Sequence, residues 1–215
     1  MQDNLRFAKA FYSYFQFMTP PPPDLDAQCE TLKKKITSRR LLAQQMIALC
    51  GESDDLECMG LICEACDWAG PPMADTTILW TKRLLEAAGD FDHLDKSVRK
   101  LAHNKALCVL ARAYEAKMMW QEALDTYQKA FQLINSFGNS VHIADVLIKL
   151  KRFDEALACM EECNTLHLEH KAFLDIDVTW LPRNEKQRRG TDTYLRNIYK
   201  LIELKIDEIQ ALQQA

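Results

Sequence analysis

The sequence predicts an all-α protein, and three observations support this fold class. Only 6 Gly and 7 Pro interrupt the 215 residues, and four of the prolines form the single run Pro20–Pro23. Apolar residues recur at intervals of three and four from Leu25 to His170, which is the spacing of one helix face. No segment shows the sustained alternation of apolar and polar residues that is typical of a half-buried strand.

The bulk composition is that of an ordinary globular protein. The formal net charge of −4 gives no general attraction for phosphate backbones, so nucleic acid is disfavoured as a partner. No apolar run approaches the ~18 residues that a membrane-spanning helix needs, and no secretory signal is evident. The 8 Cys are therefore interpreted as reduced thiols, which favours a cytoplasmic or nuclear location.

The N-terminal segment, residues 1–23, is predicted to be separate from a helical domain at residues 24–215. A helix is expected at Asn4–Met18, and Pro20–Pro23 should form an extended spacer after it. The helix has three possible roles: packing on the rest of the chain, inserting into a partner, or touching a membrane surface. Packing is favoured because its apolar stripe is narrow: Phe7, Phe11, Phe15 and Met18.

Further helices are predicted from caps and apolar spacing. Ser53 is expected to cap the helix that follows it, and Gly70-Pro71-Pro72 and Gly89 are expected to end helices. The predicted helical segments are Leu25–Cys50, Asp54–Ala69, Ala74–Ala88, a nearly continuous stretch from Asp95 to His170, and Thr191–Ala215 after a loop at Lys171–Gly190.

An internal repeat is the most informative feature of the sequence. The segment Trp120–Leu124 (WQEAL) is matched by Phe153–Leu157 (FDEAL). The period is about 33 residues, a length typical of stacked helix–turn–helix units. Large residues match large ones and small residues match small ones in the further pairs Ala111/Ala144, Tyr114/Leu147, Tyr127/Met160, Ala130/Cys163 and Leu133/Leu166.

These residues resemble the tetratricopeptide (TPR) repeat superfamily over about a third of the chain. The first unit, 104–136, has Asn135 where the family usually has proline, and the second, 137–170, has Leu147 for the signature tyrosine. The resemblance implies an α-solenoid of antiparallel helical hairpins with a capping helix at 191–215. The signature positions of the first unit are Leu107, Leu110, Ala111, Tyr114, Ala123, Tyr127 and Ala130.

In the TPR superfamily, the first helix of each repeat lines a groove that binds an extended or helical peptide. Some members hold a chaperone's acidic C-terminus with an Asn/Lys clamp, but here the corresponding places hold Cys108, Val109, Arg112, Gly138 and His142, so this partner is disfavoured. By the same resemblance, the groove residues of this chain are Lys105, Cys108, Val109, Arg112, Glu115, Val141, His142, Asp145 and Lys149.

No catalytic, cofactor or metal site is predicted. Cys63 and Cys66 are three apart within a predicted helix, without the second knuckle that a structural zinc site would need. Cys159, Cys163, His167 and His170 follow a helical spacing, and ligands along one helix cannot surround one ion. Motifs typical of phosphate loops, metalloproteases and serine hydrolases are missing from the sequence.

The hypothesis from the sequence is therefore a non-enzymatic, TPR-like adaptor or assembly subunit that binds a protein partner through a helical-repeat groove. Two alternatives stay open. One is a purely architectural helical scaffold without a peptide groove, and the other is an all-helical enzyme with an unrecognised site. The basic segment 183–189 is interpreted as a solvated loop, with docking to an acidic partner or to nucleic acid as the alternative.

Overall fold

A computed structural model of the protein describes residues 2–17, 20–89, 91, 94–168 and 185–214. Within these ranges the protein is all-α, without a strand, so the predicted fold class is confirmed. None of the described helices is both long and apolar enough to cross a membrane. The α-helices are α1 (Gln2–Phe17), α2 (Asp26–Lys33), α3 (Arg39–Cys50), α4 (Leu56–Ala69), α5 (Ala74–Ala88), α6 (Lys96–Ala116), α7 (Trp120–Leu133), α8 (Phe137–Lys149), α9 (Phe153–Leu168) and α10 (Glu185–Gln214).

The chain divides into two compact units. The first comprises residues 1–93 together with 112–118, and the second comprises residues 94–111 together with 119–215. Helix α6 therefore contributes its last turns to the first unit and its earlier turns to the second.

Helix α1 packs inside the first unit, against α2, α3 and α4. Its residues Ala8, Phe11 and Tyr12 are buried. Arg6 pairs with Asp24 across the proline run, with nitrogen–oxygen distances of 2.8 and 3.0 Å. The packing role favoured from the sequence is thus the one observed for this helix. The side chain of Phe15 and the whole of Met18 lie outside the described residues.

The prediction of one continuous helix at Leu25–Cys50 is wrong, because the chain forms α2 and α3 with a break between them. Ser38 has an extended backbone (φ −151°, ψ 157°) and caps α3, its hydroxyl accepting from the Leu41 backbone N–H at 3.3 Å. A serine hydroxyl that accepts from a nearby backbone N–H competes with continuation of a helix. The apolar residues keep their helical spacing through the break, so the sequence pattern did not indicate it.

Helices α4 and α5 pack against each other in the first unit. Asp55, and not the predicted Ser53, caps α4, with its carboxylate accepting from the backbone N–H groups of Glu57 and Cys58 at 2.8 and 3.2 Å. Gly70 ends α4 at φ 75°, which is a left-handed conformation that side chains disfavour. The buried core of these two helices includes Met59, Ile62, Cys66, Trp80 and Leu84.

The internal repeat of the sequence is also a repeat of backbone structure. Helices α6 and α8 end at Ala116 and Lys149, while α7 begins at Trp120 and α9 at Phe153. The two helix ends are one sequence period apart, and so are the two helix starts. In the turns between these helices, Met118 and Lys151 occupy the same left-handed conformation, with φ values of 58° and 59°. The two hairpins therefore share their turn geometry.

Small residues are buried at equivalent places of the second unit, where α7 packs on α8 and α8 on α9. Ala123, Ala130, Ala144 and Ala156 have no exposed surface. Small side chains let neighbouring helices approach to the roughly 8–10 Å of normal packing. Tyr127, fully buried, fills space beside them.

Helix α10 packs on α9, and its residues Ile202 and Ile209 are both fully buried. It begins at Glu185, so the prediction that residues 185–190 belong to a loop is wrong. The single glycine Gly190 does not end the helix, because one glycine inside a helix costs only about 1 kcal/mol. Residues 169–184, which include most of the predicted loop at Lys171–Gly190, lie outside the described part of the chain.

Replacing Ala123 with tryptophan should destabilise the second unit strongly. The site has no exposed surface, and overpacking of a close helix contact typically costs about 1–3 kcal/mol or more. Ala158→Trp on the exposed side of α9 is the matched control and should leave the melting temperature nearly unchanged. Equal melting temperatures for the two variants, measured by circular dichroism, would contradict the assigned packing.

Met118→Gly should stabilise the protein, because glycine adopts φ near 58° without the steric cost that methionine bears. We expect a gain of about 0.5–1 kcal/mol in the free energy of unfolding by urea. Gln128→Gly, at an exposed position inside α7, should instead lower stability by about 1 kcal/mol. A loss of stability in Met118→Gly would show that the turn does not hold this conformation in solution.

Candidate protein-binding surface

The nine residues predicted to line a groove all lie on α6 and α8. They fall into two sets that belong to different units of the chain. Arg112 and Glu115 lie in the first unit. The second unit holds Lys105, Cys108, Val109, Val141, His142, Asp145 and Lys149.

Arg112 forms a bidentate ion pair inside the first unit. Its guanidinium Nε and Nη2 donate to the two carboxylate oxygens of Asp67 on α4, at 3.0 and 2.7 Å. Planar guanidinium–carboxylate pairs of this kind fix the orientation of both side chains. Two more contacts join this end of α6 to α5: Lys117 bonds Asp75 at 2.9 Å, and the ammonium of Lys82 lies 5.6 Å from the centre of the Tyr114 ring.

Asp145, at the repeat position equivalent to Arg112, makes a comparable bond inside the second unit. Its carboxylate accepts from the Lys205 ammonium of α10 at 2.8 Å, and Glu208 accepts from the same ammonium at 2.7 Å. Partial burial by itself would lower the pKa of Lys205, but its hydrogen bonds to the two carboxylates outweigh burial and raise the pKa. The protonated lysine is thus held between α8 and its own helix.

The equivalent positions 112 and 145 therefore bind neighbouring helices of the same chain. Each was predicted to face a partner. The structure instead gives both of them an intramolecular ion pair, one with α4 and one with α10. A partner could use either side chain only by replacing that bond.

Three other predicted groove residues also have internal contacts in the second unit. The His142 ring stacks on the Tyr127 ring, with centroids 4.9 Å apart and planes 4° apart. The thiol of Cys108 donates to Oδ1 of buried Asn139 at 3.3 Å. Val109 is only 3% exposed, so its side chain is not accessible to a partner. The sequence pattern could not separate these inward positions from outward ones.

The accessible part of the predicted surface is smaller and more basic. Lys105 and Lys149 are exposed, and Val141 is half-buried. Two exposed residues that the sequence prediction missed, Val98 and Leu101, continue the Lys105 face of α6 toward its start. Their spacing of three and then four residues before Lys105 was the available signal, but it lies upstream of the recognised repeat unit.

The cysteines of α3 and α4 are packing residues. Cys50, Cys58, Cys63 and Cys66 are buried without a disulfide. Burial raises the pKa of Cys66 to about 12 and that of Cys63 to about 11. Across the described part of the chain, three or more His, Cys, Asp or Glu side chains never converge in a way that could hold a metal ion.

A cleft of about 650 Å³ in the first unit lies between the start of α1, the end of α3 and the start of α4. Its wall contains Glu52, Asp54 and Asp55. Two of these carboxylates already have structural partners, since Asp54 pairs with Arg83 and Asp55 caps α4. Two of the three carboxylates in the wall of the cleft would therefore have to give up an existing bond to bind a ligand.

Alkylation by iodoacetamide at pH 8 should be at least about tenfold slower for Cys50 and Cys66 in the native protein than in urea. Burial raises both thiol pKa values to about 12, which suppresses the reactive thiolate. For the same reason, stability should fall as the pH rises above about 9, where unfolded thiols ionise and buried ones do not. Peptide mapping by mass spectrometry measures the modification. Equal rates in the folded and unfolded states would contradict this packing.

Comparison of the sequence with protein-family models and with curated proteins gives no match. The resemblance to the TPR superfamily therefore depends on the residues quoted above and on the shared spacing of helix ends and turns.

Proposed function

We propose that this protein is a non-enzymatic, TPR-like adaptor or assembly subunit that holds an extended or helical segment of a protein partner. The observation that carries the proposal is the repeat itself, in which helix ends, turn conformation and buried small residues recur at one period. Stacked helical hairpins of this kind commonly present a binding face built from the first helix of each unit.

The partner-binding surface that we propose is the accessible part of α6 and α8 in the second unit. Lys105 and Lys149 supply exposed positive charge, and Val98 and Leu101 supply exposed apolar surface. This combination favours a partner segment with apolar residues and an acidic flank. Charges at such an interface steer association and fix register more than they add raw affinity.

A purely architectural role is the second candidate function. It is favoured by the ion pairs of Arg112 with Asp67 and of Asp145 with Lys205, which use predicted groove positions to join helices of the chain itself. In that case the faces of α6 and α8 would contact large neighbouring subunits and would not hold a peptide.

The double variant Lys105→Glu/Lys149→Glu should lose the partner segment while it keeps the native melting temperature, because exposed charges contribute little to folding. Full-length protein would be immobilised, and co-purifying chains would be identified by mass spectrometry at low and at physiological salt. Retention should also weaken with salt, because exposed charges are screened over about 8 Å at roughly 0.15 M.

Lys34→Glu/Lys129→Glu is the matched control, since it makes the same charge change at exposed residues outside this surface. Arg112 is unsuitable as a probe, because a glutamate there would face Asp67 and destabilise the fold. Unchanged binding by a folded Lys105→Glu/Lys149→Glu variant would reject the peptide surface and favour the architectural role.

A further inference from the structure

The break between α2 and α3 carries a dense run of positive charge. Five of the eight residues from 33 to 40 are lysine or arginine, and none of the eight is acidic. Lys34 and Lys35 before the break and Arg39 and Arg40 after it are exposed. Ser38 lies between these two pairs of cations and is exposed as well. Its backbone is extended, with φ −151° and ψ 157°.

The Ser38 hydroxyl differs from the other exposed hydroxyl groups that the structure describes outside residues 33–40. Thr31 and Thr165 lie inside α2 and α9, and each donates to a backbone carbonyl of its own helix, at 2.7 and 3.0 Å. The Ser38 hydroxyl oxygen instead accepts from the Leu41 backbone N–H at 3.3 Å, so this bond does not use its proton. Ser38 therefore combines an exposed hydroxyl and an extended backbone with positive charge on both sides.

Helix α2, in front of this segment, is weakly anchored. It has 8 residues and begins after Leu25, whose side chain cannot cap it. Cys29 is the one buried residue among residues 26–33, all of which the structure describes. Elements with few buried apolar contacts open locally at little cost in free energy. The residues before Ser38 can therefore extend while α3, which packs on α1 and α4, stays folded.

We propose that Ser38 is a phosphorylation site for a basophilic protein kinase, an enzyme whose peptide cleft is lined by acidic residues. Such clefts select substrates by the charges that flank the acceptor hydroxyl, and the two cation pairs supply these charges. The site lies in the first unit, whereas the proposed partner-binding surface lies in the second, so the two proposals are independent.

The transfer uses ATP as the phosphoryl donor. The Ser38 hydroxyl oxygen forms a bond to the γ-phosphorus, and its proton passes to the aspartate base of the kinase. The bond between the γ-phosphorus and the bridging oxygen of the β-phosphate breaks, and ADP leaves with that oxygen. The product is a phosphoserine that carries about −1.5 to −2 charge at pH 7.

A phosphate on Ser38 also changes the start of α3. The first turn of α3 has no acidic residue and begins with Arg39 and Arg40. Positive charge is unfavourable at this end of a helix, and α4 and α5 have Glu57 and Asp75 there instead. The phosphate supplies negative charge, accepts from backbone N–H groups of the first turn and reduces repulsion among the flanking cations. Phosphorylation therefore stabilises the first unit.

The site is tested by incubating the full-length, folded protein with ATP and the catalytic domain of a basophilic protein kinase. Mapping of phosphopeptides by mass spectrometry should identify Ser38 as the main phosphorylated residue. Ser38→Ala should abolish this modification. An acidophilic kinase, used in parallel, should leave Ser38 unmodified, because cations flank the hydroxyl on both sides.

Recognition of the flanking charge is tested with the hydroxyl and the cap intact. Lys35→Glu/Arg40→Glu should slow the initial rate of phosphorylation by at least about tenfold, because it places like charges against the kinase cleft. Arg39 is retained, since its guanidinium lies 4.6 Å from the centre of an indole ring on α4. Lys129→Glu/Lys200→Glu makes the same charge change at exposed residues outside this segment and should react like the native protein.

The effect on α3 is tested by circular dichroism at low salt. The phosphorylated protein should melt about 1–4 °C higher than the unmodified protein, because the phosphate is favourable at the start of a helix. Ser38→Ala should melt lower, since it loses the cap of α3.

Three results would overturn the assignment of the site. One is a folded native protein whose Ser38 stays unmodified by the basophilic kinase. Another is phosphate on Thr37 in place of Ser38. The third is a Lys35→Glu/Arg40→Glu variant that is phosphorylated as fast as its control. A melting temperature that falls on phosphorylation of Ser38 would overturn the stabilising effect on α3.

Discussion

Close approach of neighbouring helices at small buried side chains is the constraint on which the second unit depends. Ala123, Ala130, Ala144 and Ala156 have no exposed surface, and helices α7, α8 and α9 pack in sequence beside them. Helices at normal packing distance leave room for little more than a methyl group at the point of contact. The constant repeat period follows from this requirement, because every hairpin must return its small residues to the same place. This requirement carries a cost in backbone strain, because the turn residues Met118 and Lys151 adopt positive φ values although neither is glycine.

Helices that lie this close also bring polar side chains of adjacent hairpins within bonding distance. Arg112 with Asp67 and Asp145 with Lys205 are such pairs, at equivalent repeat positions but with the charges reversed. Partly exposed ion pairs contribute only about 1 kcal/mol or less to stability, so they do not hold the helices together. They do set which side chains remain available to another molecule. The side chains of α6 and α8 that stay exposed include Lys105, Lys149 and the apolar pair Val98 and Leu101.

Much of the fold could be predicted from the sequence, and much less of the surface. The helices of the repeat and the buried alanines were predictable because apolar spacing and side-chain size are local properties with a fixed period. The break before Ser38 and the cap at Asp55 were missed because several hydroxyl and carboxyl residues nearby could have served equally well. Burial of Val109 and the bonds of Arg112 and Asp145 depend on helices distant in sequence, so one helical period could not predict them.

Exposed apolar residues that repeat along one helix face have a different meaning from single exposed ones. A lone exposed leucine such as Leu79 is common on protein surfaces and needs no partner. Val98 with Leu101 on α6, and Leu201 with Leu204 and Leu212 on α10, instead repeat along one helix face. Grouped apolar residues with a charged margin are characteristic of surfaces that become covered.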